Sequence, residues 1–314
     1  MTTRTVLFAT WGDGLFVITG ENCHQEVAGQ PVGALASDGH GGAFAIVSGH
    51  SLQRRTSDGE WRTLATSEFQ LACCAPVAEV IYVGTDDARL LRVSANGHVE
   101  QLRSFEAVAG RDTWYAGSAV INGQRVGPPL GIRSIAATSD GRVVLANVHV
   151  GGIPRSTDSG ATWQPTIDID TDVHEVCAHP TDPDLVIAAA AIGLCISQDG
   201  GATWNVEQDG LHASYCSAVA FLGDDVLVAA STDHFATEGA VYRRPIGARR
   251  PFMPVAGGLP RWIDGIADTR CIATSGSAAA VADRAGNLYV STDAGSTWLR
   301  PAHGLPPASS VVIA

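Results

Sequence analysis

The sequence predicts an all-β chain of 314 residues folded as a single seven-bladed β-propeller of four-stranded antiparallel blades. Three observations lead there. The pattern S-x-D-x-G-x-T-W occurs three times, at residues 156–163, 197–204 and 291–298. The first two copies begin 41 positions apart and the last two 94, twice 47, so a unit without the pattern lies between them. The two ends of the chain are complementary: three strand patterns at the start lack an inner strand, and one lone strand pattern stands at the end. Six or eight blades are the alternatives.

Taken in order, residues 5–10, 14–19 and 23–27 read as three strands of blade 1. Blade 2 spans about 31–66, blade 3 about 69–104, blade 4 about 131–167, blade 5 about 173–209, blade 6 about 214–256 and blade 7 about 269–300. Residues 309–314 supply the missing strand of blade 1, which closes the ring without an open edge. Weaker copies of the turn pattern stand at 56–61 and 94–98. The whole chain, 1–314, is one domain with two insertions. Residues 105–129, between blades 3 and 4, carry Trp114 and Tyr115 and are expected to form a lid; 257–268, between blades 6 and 7, are shorter.

Composition fits this plan. Glycine is frequent at 35 residues, as many short strands and turns require, and only 17% of residues are charged. The net charge of −12 counts against nucleic acid and anionic membranes, which need a basic footprint. Seven cysteines, an odd number without C-x-x-C spacing, fit neither a disulfide framework nor a zinc finger. The start of the chain runs directly into a strand pattern, and no apolar run is long enough to span a bilayer. A cytoplasmic location is the expectation.

Within the repeated turn, Asp and Ser tie up backbone amides, Gly supplies a positive φ, and Trp opens the next strand. Asp158, Gly160, Trp163, Asp199, Gly201, Trp204, Asp293, Gly295 and Trp298 are therefore structural. The pattern resembles the Asp-box, or bacterial neuraminidase repeat. That resemblance implies a propeller in which the box joins the third and fourth strands of a blade. The boxes look like those of sialidases, sortilin-type receptors, xyloglucan-processing glycosidases and the photosystem II assembly factor. Sialidase activity is not implied. Sialidases have six blades and an Arg-Ile-Pro segment, whereas Gly152-Ile153-Pro154-Arg155 has another order and adjoins a box.

Label the strands A to D from the axis outward. B–C loops and D–A connections then emerge on one face, the top, and every box lies on the bottom. By this register His50, His149, His174, His212, His234 and His303 are on top, His40, His98 and His179 on the bottom, and His24 in an outer strand. One residue per blade is expected at the mouth of the central channel: Val32, Gln70, Arg133, His174, Cys216, Arg270 and Ser309, with Glu175 and Tyr215 beside them. Cys216 is either a nucleophile beside His174 or His212, or a small buried apolar residue. Trp11 and Trp262 are placed on the top as well.

These residues point to a funnel that binds a small anionic molecule. Arg133 and Arg270 would hold the negative group, with Trp114, Tyr115, Tyr215, Glu175 and Asp13 around the ligand. His149, His174 and His234 would act as acid/base groups or as ligands of a divalent metal. Lyase or hydrolase chemistry suits such a site. The alternatives are a non-catalytic scaffold that binds a protein partner, and a carbohydrate-acting glycosidase, for which Asp13, Asp86, Asp87, Glu175, Asp233 and Asp283 are candidate carboxylates.

Overall fold

The computed structural model describes residues 4–115, 120–121, 124–125, 130–168 and 171–314. It is a seven-bladed propeller of antiparallel blades, and strands from the two ends of the chain share one blade. Blade 1 runs, from outside inward, Asn22–Glu26, Leu15–Thr19, Thr5–Thr10 and Ala308–Ile313. The inner strands of blades 2 to 7 are Val32–Ser37, Leu71–Val77, Ile132–Ala137, Val173–Ala178, Tyr215–Leu222 and Ile272–Ser275. Blade 6 gains a fifth strand, Ile263–Asp264, which pairs with Glu238–Pro245.

Burial follows from the stacking of blades. A middle strand has a neighbouring blade on each face, so both faces must be apolar and at least one must be small. Val186–Ala190 (VIAAA) and Ala278–Ala282 (AAAVA) are buried at every position. Outer strands meet water on one side, and Asn22–Glu26 (NCHQE) is exposed almost throughout.

The repeated turns form the expected clamps. Ser156 Oγ accepts the Gly160 amide at 2.8 Å, and Asp158 accepts the Thr162 amide at 2.8 Å and the Thr162 hydroxyl at 2.7 Å. Ser197 with Asp199, and Ser291 with Asp293, repeat these bonds. At Gly201, φ is +81° and a Cβ would sit 2.3 Å from the Leu145 side chain, so glycine is required twice over.

One irregularity recurs around the axis. In six blades a single residue near the top of the inner strand has no cross-strand partner: Ser309, Gly33, Ala72, Arg133, His174 and Ser217. Such bulges bend the strand and re-aim side chains. The residues that the sequence places at the channel mouth coincide with this bulge at Arg133, His174 and Ser309. The sequence placement misses by one or two residues at Val32, Gln70 and Cys216, because a bulge adds a residue that a repeat ruler does not count.

Side chains at the bulges, or next to them, stitch blade to blade. Ser309 Oγ donates to Val32 O at 2.5 Å, and Ser217 Oγ to Ala267 O at 2.6 Å. The longest stitches come from Arg270 and Glu175. The Arg270 guanidinium donates to Arg133 O in blade 4 and, at 3.2 Å, to Gly33 O in blade 2. Glu175, in blade 5, accepts the amides of Val219 at 3.1 Å and Arg270 at 3.2 Å. Arg270 holds φ at +64°, a strained value for a non-glycine residue. Both side chains that the sequence assigned to a ligand are thus bonded to the backbone.

The two insertions differ. In 105–129, Trp114 is buried and packs on Phe105 at 5.8 Å between centroids, and Phe105 packs edge-on against Trp163. Trp114 therefore fills the core between blades 3 and 4, where a covering role over the funnel was expected. Tyr115 exchanges backbone hydrogen bonds with Val150. The rest of the expected lid lies largely outside the described residues. The segment 257–268 runs along blade 6 and delivers Asp268 to the top face.

Burial pushes the Glu175 carboxyl up to about 7 from its ordinary 4.5. A raised folded value means that its contribution to stability is complete below about pH 4.5 and is lost as pH rises through about 7. Denaturation midpoints measured at about pH 5 and about pH 8 should show this slope in the parent and not in Glu175→Gln. Glu175→Ala strands two buried amides and should cost about 2–5 kcal/mol.

Candidate functional site

The top face opens into a funnel of about 600 Å³, walled by residues from B–C loops and D–A connections of several blades. Arg133, His149, His234, Asp268, Thr269 and Arg270 reach it, with Trp11, Gln70 and Asp86 nearer the rim. The repeated turns lie at the opposite end of their strands, as the register required.

Behind the wall sits a cluster the sequence only half revealed. His149 lies in the loop after Val144–Val148, and Asp172 and His174 flank the start of the blade 5 inner strand. Asp172 Oδ1 is 3.1 Å from His149 Nε2 and 3.3 Å from His174 Nε2. The two histidines thus come together, and Asp172 occupies the third place that had been assigned to His234. His234 lines the funnel apart from the cluster and gives its carbonyl to Arg284.

Proton placement in the cluster is constrained. His174 Nδ1 is 2.6 Å from Cys216 O, a group that can only accept, so Nδ1 carries a hydrogen. In a neutral ring, His174 Nε2 then presents a lone pair to Asp172 Oδ1. Both atoms are buried and neither has a hydrogen bond. His149 Nε2 is contested in the same way, with the Arg133 guanidinium at 3.0 Å and the Asp172 carboxylate at 3.1 Å. A proton or a metal ion between His174 Nε2 and Asp172 Oδ1 resolves the first conflict. The three offer ligand atoms within 4.8 Å of one another, and a pair of imidazoles with one carboxylate is a recognised donor set for divalent transition metals.

Electrostatics separate the acids. Burial alone would raise the Asp172 carboxyl, but the two imidazoles hold it well below the usual range. Burial lowers His149, and Asp172 only partly offsets this, so the ring is neutral at pH 7. Burial raises Asp86 despite the nearby Arg270. Burial also works to raise Asp268, but Arg133 leads the groups that hold it low.

Two arginines line the funnel, and Arg270 is committed to the carbonyls of Arg133 and Gly33. Arg133 bonds to side chains. It donates to Thr269 Oγ1 at 2.9 Å and stands 3.6 Å from Asp268. Tyr215 packs its ring 4.5 Å from His174, and burial pushes its hydroxyl up. Asp13 is exposed, bonded to Gln25, and does not line the funnel. Cys216 is fully buried and its thiol is pushed up to about 12, which suits an apolar core residue and not a nucleophile. Sequence reasoning missed Asp172, Asp268 and Thr269. An Asp two places before a bulged His, at a strand's mouth, was the available signal for the first.

No protein-family model matches the chain, and no curated protein matches it. Solved structures do. A GH74 enzyme from Niastella koreensis is 14% identical with a TM-score of 0.61, over 93% of this chain and 46% of that one. The GH74 xyloglucanase from Xanthomonas campestris is 17% identical with a TM-score of 0.57, over 95% and 46%. A computationally designed protein is 14% identical with a TM-score of 0.55, over 92% and 81%. This chain spans less than half the length of either GH74 structure. At such identities the likeness is one of fold. The comparisons also correct the family expectation: the turns suggested the Asp-box, sialidase-like repeat superfamily, but no family model supports that, and the natural proteins of similar fold include GH74 enzymes.

The cluster should cost the fold stability. Asp172→Leu/His174→Phe, compared in chelator-treated samples, is expected to melt within about 1 kcal/mol of the parent or above it. Trp114→Ala should lose about 3–5 kcal/mol by calorimetry.

Proposed function

We propose that the chain is a hydrolase for a carbohydrate-type substrate, with its chemistry in the top-face funnel at His149, Asp172 and His174. One observation carries the reading: two imidazole nitrogens converge on Asp172 Oδ1, at 3.1 and 3.3 Å, and His174 Nε2 is buried there without a hydrogen bond. A scaffold gains nothing from such a buried cluster, whose desolvation opposes folding. The substrate class is supported by the solvent-facing Trp11 at the funnel and by the fold shared with GH74 enzymes.

The residues divide the work. His149 is neutral and set at the funnel wall, able to take a proton from water as Asp172 steadies the imidazolium. The Arg133 guanidinium, fixed by Thr269, is placed to stabilise negative charge that develops on the substrate. Asp86 at the rim is the carboxyl most suited to give a proton to the leaving group, since its environment and that of Asp172 push the two acids apart. Arg270, committed to backbone carbonyls, shapes the floor.

A divalent metal is the second element of the reading, favoured by the convergence of the three ligand atoms and by the unbonded His174 Nε2 facing Asp172 Oδ1. His149, Asp172 and His174 would hold it, and a metal so held activates water and polarises a substrate oxygen. Arg133 NH1 would then turn from His149 toward the substrate.

A panel of aryl glycosides and acetylated sugars tests the activity. Turnover of at least one class is expected, with kcat/KM lowered about 10²–10⁴-fold in Asp172→Asn at unchanged melting temperature. No turnover anywhere on the panel, or an unaffected Asp172→Asn, would overturn the hydrolase reading and favour a protein-binding scaffold. Elemental analysis should find about one divalent ion per chain in the parent and none in His149→Ala/His174→Ala.

A further inference from the structure

Where the outer strand of a blade begins, one apolar residue turns back into the seam with the blade before it. In blades 2, 4, 5 and 7 that residue is Trp61, Trp163, Trp204 and Trp298, in blade 6 it is Phe252, and in blade 3 it is Val99. An apolar side chain at this place closes the seam. Against Val99, between blades 2 and 3, the cavity is about 10 Å³.

Blade 1 breaks the pattern. Its third and fourth strands are joined by two residues, Gly20 and Glu21, with Thr19 paired to Asn22. So short a turn has no room for the repeated clamp, and polar Glu21 and Asn22 stand where the other blades carry the apolar residue. The seam between blades 7 and 1 is accordingly open, with a cavity of about 500 Å³. Packed interiors leave few voids larger than a water molecule, and pockets for small ligands run to about 300–1,000 Å³.

The lining defines what would fill it. Val6 and Ile18 of blade 1 face Val290 and Leu299 of blade 7, and Leu299 is 75% exposed at the rim. Two apolar walls from adjacent blades are the surroundings that tryptophan occupies in other seams, so a flat aromatic ring suits the space between them.

Two cations stand at the same opening. Arg4 reaches across the seam, with Nη2 beside Gly276 of blade 7, and Arg300 stands next to the Tyr289 hydroxyl. Among the described residues neither makes an ion pair. Glu21 is the one acid of the lining. Asp293, in the neighbouring turn, spends its oxygens on Ser291 and Thr297. A guanidinium with unspent donors forks a carboxylate with parallel hydrogen bonds.

We propose that the seam between blades 7 and 1 binds a small aromatic carboxylate. Its ring lies between the two apolar walls, where other blades place tryptophan, and its carboxylate meets the guanidinium groups of Arg4 and Arg300. The seam shares no lining residue with the funnel, so this second site does not rest on the hydrolase reading. A ligand there bridges the first and last blades and stabilises the closure of the ring.

Calorimetric titration of the full chain with indole-3-propionate, tryptamine and propionate tests the site. Indole-3-propionate is expected to bind at least about tenfold more tightly than tryptamine, which carries the same ring on a cation, or propionate, which lacks the ring. It should also raise the melting temperature by an amount that grows with its concentration. Arg4→Gln/Arg300→Gln should erase the preference for the acid over the amine. Val290→Phe, which fills the groove, should weaken binding of the acid at least about tenfold. Both arginines are exposed, so the double variant carries the test even if Val290→Phe does not fold. Equal binding of acid and amine, a preference unchanged in the double variant, or propionate that binds as tightly as the indole acid overturns the proposal. So does an acidic peptide with one tryptophan that binds more than about tenfold tighter than the acid, which would assign the seam to a protein partner.

Discussion

Arg270 and Glu175 tie five blades together across the propeller axis. The guanidinium spans from the start of blade 7 to carbonyls in blades 2 and 4, and the carboxylate of blade 5 caps amides in blades 6 and 7. Thr269 adds further links across the axis, to Arg133 in blade 4 and His174 in blade 5. Neighbouring blades pack through apolar faces. These charged stitches fix how the inner strands sit around the channel. They do so with backbone groups as partners, which satisfies charges inside the protein where water cannot. The strained backbone at Arg270 persists because its side chain and its amide are both held.

With the ring fixed, the bulges become useful. Each frees one residue from the ladder at the same height, and the fold spends these positions in two ways. Ser309 and Ser217 stitch neighbouring blades, while Arg133 and His174 are delivered to the funnel and the cluster behind it. The same local device therefore joins blades in some places and shapes the proposed site in two adjacent ones. Asp172 gains its place from the second use, since it enters the bulged strand two residues ahead of His174. Asp268 gains its place from the connection that leads into Arg270, so the lattice that holds the axis also positions the carboxylate between Arg133 and Arg284.

The architecture was legible in the sequence because repetition makes errors visible. Three turns of one pattern served as a ruler, and the missing strand at one end matched the spare strand at the other. The face was legible for the same reason: the turns mark one end of the blades, and His149, His174 and His234 fall at the other. Partnership was less legible. Arg270 looks like an anion anchor in sequence, and only the geometry shows its nitrogens spent on carbonyls. Trp114 looks like a cover and is core, because nothing in its neighbours reveals Phe105 beside it. Asp172 and Asp268 lie in connections, where the repeat has no register to offer. The turn motif itself misled on kinship: its hydrogen bonds specify a hairpin, and a hairpin does not name a family.

The central claim is that the funnel and the His149–Asp172–His174 cluster behind it form a ligand site. A crystal structure of Asp172→Asn soaked with an oligosaccharide tests this most directly. The account predicts ligand density in the funnel, with a substrate oxygen within hydrogen-bond distance of Arg133 and next to His149, and a ring against Trp11. A ligand bound on the bottom face or at the outer strands, with Arg133 still closed onto His149 and Asp268, would contradict it.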